Sequence, residues 1–323
     1  MKGFDKKYKD FPDYILGITN EIWEQRGIEK LYDYYSKDIP VRSPDALVIG
    51  NQNVIDATRA TLKEFPDREL LGEDVIWSGS PEEGMLSSHR ILSTATHNGK
   101  GVFGNATGTK LVYRVIADCH AINNQINDEW LVRDQGSIVK QLGWEPKQYA
   151  EELIKKEKKL NSIIVPFTDK IDVEGPYKGN GNDNHWGINY ESVLNDIMGL
   201  KYSSIENNYD RAVHTEYAGG ITGHSFKAVK KFWSDLRTAF PNSKFQIHHR
   251  IGREDPMLSP RAAIRWSLSG KHEGNGIFGK PSNAEVYILG ISHVEFGPWG
   301  IRKEYSLYDE VAVWKQILIN FTN

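Results

Sequence analysis

Glu129, Leu131 and Arg133 alternate along one strand-like run, so a carboxylate, an apolar residue and a cation share a face. A carboxyl group on a buried face can accept a proton as a general base and return it as the conjugate acid. Glu129 is therefore a candidate base. His89 offers an imidazole for the same work, but it adjoins Arg90, and alternation lets only one of the two face a cavity. Arg90 and Arg265 read either as ion-pair or interface residues or as ligand holders. Arg42 and His214 stand on equivalent early segments and could line a pocket mouth. Trp77, Trp130, Trp266 and Tyr305 could build core or stack on a bound ring. His97 and His272 precede glycine turns that an imidazole hydrogen bond would fix. Asp134 and Asp309 precede short helices they would cap. His248-His249-Arg250 lacks partners at metal-ligand spacing, so no metal site is expected.

Two glycine motifs, Gly99-Lys100-Gly101-Val102-Phe103-Gly104 and Gly274-Asn275-Gly276-Ile277-Phe278-Gly279, match a dinucleotide fingerprint. That fingerprint needs a helix after it, whose N-terminus holds the pyrophosphate. Here Lys110–Ile116 and Ala284–Leu289 follow, and both read as strands. The glycines thus belong to strand connections.

The two motifs are one feature seen twice. A shift of 175 residues brings Arg90 onto Arg265, His97 onto His272, Phe103-Gly104 onto Phe278-Gly279 and Glu129 onto Glu304. The repeat predicts a first unit over residues 1–145, a helix and a Gly/Asn-rich linker over 146–185, and a second unit over 186–323. Each unit should open with helices (13–36 and 52–64 in the first, 226–239 in the second). Four strands should follow: 68–77, 87–97, 109–121 and 126–133, repeated at 244–252, 261–271, 284–296 and 301–308. Helices first and a strand meander after them predict α+β, with helices on one face of an antiparallel sheet.

Composition narrows the partners. The chain has 323 residues and a formal charge of −3, which gives no electrostatic case for nucleic acid. No stretch reaches the roughly 18 apolar residues of a membrane span, and residues 1–13 lack a signal-peptide core. Cys119 is the single cysteine, compatible with a cytoplasmic setting. The sequons at Asn105 and Asn320 are read as chance. The lysine-rich run 155–159 is read as a solvated helix face.

Beyond the repeat, the first unit resembles the SnoaL-like polyketide cyclases. The run Arg90-Ile91-Leu92-Ser93-Thr94-Ala95-Thr96-His97-Asn98-Gly99 is similar to their Arg–Trp–…–Gly–Thr–His–Thr–Gly strand. Phe65-Pro66-Asp67, Phe103–Gly108 and Glu129–Asp134 with Gln141-Leu142-Gly143 follow in the family's order. The second unit keeps Arg265-Trp266, His272, Gly274 and Asp309. The resemblance implies two tandem cone-like α+β barrels of the nuclear transport factor 2-like class, each a curved sheet whose helices enclose an apolar pocket. It also implies an intramolecular pseudo-dimer, alone or as a further homodimer. The activity implied is cofactor-free acid/base cyclisation or isomerisation of a small apolar carbonyl compound. The family's acid/base aspartate falls on Leu131 and Ser306, and its supporting histidine on Ala117 and Ser292, none of which suits proton transfer. Asp118 and His293 lie one residue from the histidine position and remain candidates. The alternative is a binding protein that has lost the acid/base pair.

Overall fold

The computed structural model describes residues 1–320; the Asn320 sequon and the end of the second unit run past them. The expected α+β class is the one observed. The chain forms two six-stranded sheets of identical order, each with helices against one face.

Helix α1 (Phe11–Thr19) starts at Asp10, whose carboxylate accepts the Asp13 N–H. The long helix expected over 13–36 is broken. A π-type turn (Asn20–Glu24) and a 3₁₀ turn (Ile28–Lys30) lead into α2 (Leu31–Tyr34). The break falls around Gly27, which weakens a helix interior. A hairpin, β1 (Pro40–Ser43) and β2 (Ala46–Ile49), precedes α3 (Asn51–Glu64). Then come β3 (Glu69–Ser80), β4 (Gly84–Thr96), β5 (Lys110–Ile122) and β6 (Gln125–Arg133). The order across the sheet is β2-β1-β6-β5-β4-β3, antiparallel except that β1 runs parallel to β6. The sheet is therefore mixed, not purely antiparallel as expected.

After α4 (Gln135–Gln141) and α5 (Pro146–Lys159) the plan recurs. Helices α6 (His185–Met198) and α7 (Ser203–Asn208) lead to the hairpin β7 (Tyr209–Tyr217) and β8 (Ile221–His224). Next follow α8 (Ser225–Ala239), β9 (Lys244–Arg253), β10 (Arg261–Lys271), β11 (Glu285–Gly297), β12 (Gly300–Tyr308) and α9 (Glu310–Asn320). Again one pair, β12 with β7, is parallel. The solvated face expected at 155–159 has one exception: Glu157 is buried and holds Lys315 of α9 at 2.8 Å.

The glycine motifs sit between β4 and β5 and between β10 and β11. Gly99 donates its N–H to the Glu64 carbonyl at 2.9 Å, and Gly274 donates to Ala239 at 3.1 Å. A Cβ at either glycine would collide with the last turn of α3 or α8. The motif is a docking point for a helix end. His97 bonds Thr107 across its turn at 3.1 Å, as His272 bonds Ser282 at 3.0 Å.

Each sheet has a helix face and an outer face, and the two outer faces pack against each other. Ile116 and Val132 of the first sheet meet Leu289, Ile291 and Leu307 of the second. Asp134 caps α4 through the Ser137 N–H and also accepts the N–H groups of Gly219 and Gly220, tying the halves together again.

Candidate functional site

Strand register decides which side chains meet on the helix face of the first sheet. Ser87, Cys119 and Glu129 lie side by side across β4, β5 and β6. The next level holds His89, Ala117 and Leu131, and the next Ile91, Val115 and Arg133. Except for Ser87, these side chains line a cavity of about 550 Å³, closed by Ile15, Ile18 and Thr58 of the covering helices.

Glu129 is buried, and its Oε2 has no hydrogen-bond partner. Burial pushes its carboxyl up to about 7, against an opposing pull from the Tyr35 hydroxyl; Tyr35 lines the same cavity. His89 is also buried with Nε2 unpartnered; burial, then the nearby Arg90 charge, lowers it to about 4. At neutral pH the cavity thus holds a carboxyl poised between its two states and a neutral imidazole. Such a pair can accept and donate protons at carbon or oxygen. Among the described residues no cluster of side chains is arranged to hold a metal ion.

The second unit has the same frame with a different filling. Thr58 corresponds to Trp233, Ile91 to Trp266 and Val115 to Gly290. Trp233 and Trp266 are fully buried, with ring centroids 5.5 Å apart. Gly290 makes room: a Cβ there would lie 2.2 Å from the nearest atom of the Trp266 ring. Glu304, the counterpart of Glu129, accepts from Tyr190 at 2.8 Å, Tyr217 at 2.6 Å and Trp233 at 3.1 Å. One carboxyl faces open space and the other sits in a closed hydrogen-bonded core. Gly290→Val should therefore destabilise the chain by roughly 1–3 kcal/mol through overpacking against Trp266. Chemical denaturation would show it; a change under 0.5 kcal/mol would mean that Trp266 is not locked in place.

The remaining candidates lie elsewhere. Asp118 does not reach the cavity, because alternation points it to the outer face, where it pairs with Arg265 at 2.7 Å. His293, the counterpart of Asp118, bonds Ser88 at 2.7 Å and lies 3.4 Å from Arg90 on that same buried seam. Arg90 also pairs with Glu73 and covers the Tyr305 ring at 3.7 Å. The Trp130 ring carries two guanidinium groups, Arg265 at 3.7 Å and Arg42 at 4.5 Å from its centroid. Arg42 is held by Asp128 and Asp172 and does not line the cavity, although its neighbours Val41 and Ser43 do, because alternation turns its side chain to the other face of β1. Trp266 is core. Trp77 packs edge-on to Phe11 and carries Arg253 on its face, and His214 bonds Glu216 near the surface. So the cavity gathers Glu129 and His89, and the seam between sheets gathers Asp118, His293, Arg90, Arg265, Trp130 and Tyr305.

No family model and no curated protein matches the chain. Solved structures similar to it include SnoaL-like polyketide cyclases. One from Agrobacterium tumefaciens is 18% identical, with a TM-score of 0.32, over 40% of this chain and 94% of that one. IdmH of Streptomyces antibioticus, a proposed polyketide cyclase, is 17% identical with a TM-score of 0.36, over 41% of this chain and 98% of its own. AclR of Streptomyces galilaeus, a proposed hydroxylase, is 21% identical with a TM-score of 0.34, over 39% and 90%.

Sequence reasoning passed over Tyr35, Thr58 and Arg68 as cavity residues. The shift of 175 could have flagged Thr58, since a threonine facing a tryptophan across a repeat marks space that one copy has filled.

Proposed function

We propose that the first unit, residues 1–145, binds a small, largely apolar carbonyl compound and moves a proton at the carbon beside the carbonyl. Glu129 is the base and then the acid, His89 is a neutral hydrogen-bonding partner, and the outcome is isomerisation or ring closure without a cofactor. The observation that carries this is Glu129 itself: a buried, half-partnered carboxyl near pKa 7 on the wall of an open apolar cavity. The second unit serves as a scaffold that completes the buried seam.

A second reading, binding without turnover, is favoured by Leu131 and Ala117. They occupy the cavity positions where the resemblance implies an acid/base aspartate and its histidine. Deuterium exchange at the α-carbon of small ketones, followed by NMR, separates the two. The wild type should speed exchange above buffer, with the rate rising as pH passes about 7. Glu129→Gln should cut the gain about 100-fold, while Glu304→Gln leaves it unchanged. Ketone binding with equal exchange in wild type and Glu129→Gln establishes the second reading.

A further inference from the structure

The cavity is not apolar throughout. At the end away from Glu129, two guanidinium groups, Arg68 and Arg133, line its wall. Arg68 is buried, and its described side-chain contacts are Ser93 Oγ at 3.4 Å and the Tyr113 phenol. The Nε of Arg133 is buried without a partner, as is Oε1 of the neighbouring Gln135. No carboxylate forms an ion pair with either arginine among the described residues. Two further carboxylates line the cavity: Asp309 is committed to the N–H groups of Val311 and Ala312 at the start of α9, and Asp45, near Asp309, is exposed to solvent.

Two like charges beside one cavity, without an anion between them, are costly to bury. Their field is felt by the neighbouring phenol. Burial raises Tyr113, but the charges of Arg68 and Arg133, together with hydrogen bonds to Ser93 and Arg68, outweigh it and leave it below its ordinary value. The second unit has nothing equivalent. Its counterparts are Ser243 and Tyr308, and its interior is filled. The cationic end therefore accompanies the open cavity and is absent from the closed core.

We propose that Arg68 and Arg133 bind the carboxylate of an apolar organic acid, which anchors the ligand with its body extended along β6 toward Glu129. Two guanidiniums can engage both oxygens of one carboxylate in a paired, planar geometry that a lysine does not reproduce. Arg133 and Glu129 are four residues apart on one strand, roughly 13 Å along its axis. That spacing separates the anchored acid from the reacting carbon and favours a keto acid over a simple ketone. The inference rests on the functional reading above, and it assigns the class of ligand for that site.

Isothermal titration of the full chain with 4-phenylbutyrate and with its primary amide, 4-phenylbutyramide, tests it. The acid should bind at least tenfold more tightly than the amide. Arg133→Met should abolish that preference and Arg133→Lys restore part of it, while Glu129→Gln keeps it. Thermal unfolding checks that each variant is folded, and the acid-to-amide ratio of the wild type stands even where a variant is not. Equal affinity for acid and amide overturns the anion site and leaves the cavity reading in place. Binding of neither also overturns the anion site, and the ketone exchange experiment then decides the cavity reading separately.

Discussion

Replacing Asp118 with alanine should lower the stability of the chain by about 3–5 kcal/mol, among the largest effects expected of a single substitution. The carboxylate lies on the seam between the sheets, 1% exposed, with Arg265 at 2.7 Å. Burial pushes the Asp118 carboxyl up, and Arg265 pulls it part of the way back. Removing the acid leaves Arg265 buried beside Trp130 with its partner gone. The loss therefore includes the penalty of an isolated internal charge as well as the missing attraction. Asp118→Leu combined with Arg265→Met should recover most of the loss, because neither charge then remains to be hydrated. Urea denaturation of the single and double variants tests both halves. A loss below 1 kcal/mol for Asp118→Ala would mean that water or another group reaches Arg265.

Glu129→Gln should behave oppositely at high pH. Folding raises the Glu129 carboxyl from its ordinary 4.5 to about 7. Below 4.5 both folded and unfolded chains are protonated there, and the group is neutral in the balance. Between 4.5 and 7 the unfolded chain ionises first, so stability falls as pH rises. Above 7 the full difference, about 3 kcal/mol, weighs against the folded chain. His89 works in an overlapping range with the other sign. It is held near 4 from an ordinary 6.5, so its contribution is lost as pH falls below 6.5. The difference between wild type and Glu129→Gln cancels the histidine term. That difference should move in favour of the variant by about 3 kcal/mol from pH 4.5 to 8. A flat difference would place Glu129 in contact with solvent and remove the reason for its role as a base.

The alternation of β5 and β6 was legible from their residues alone. Glu129, Leu131 and Arg133 face one way, Asp118 faces away from Ala117, and the structure keeps that arrangement. The glycine connections were legible for the same reason: each is a local pattern that recurs. What lay outside the local pattern was harder to read. Hairpin β1–β2 has two four-residue strands, too short to show alternation, and it joins the sheet through β6, far along the chain. The partner of Asp118 lies 147 residues away in the other unit, so nothing beside Asp118 announces an ion pair. Arg68 follows a turn, and only the folded chain brings it near Arg133 and Tyr113.

The seam carries one further consequence. Arg265 faces Asp118, and under the shift of 175 the equivalent contact is Arg90 facing His293. In an assembly of two identical chains any change at such a contact is made twice, and both sides must tolerate it. Here each side is encoded separately, so one mutation alters one contact. An acid could stand at one position and an imidazole at its twin, just as one interior could stay open while the other closed. Joining the halves in a single chain halves the dose of every substitution at the seam and lets the two halves take up different work.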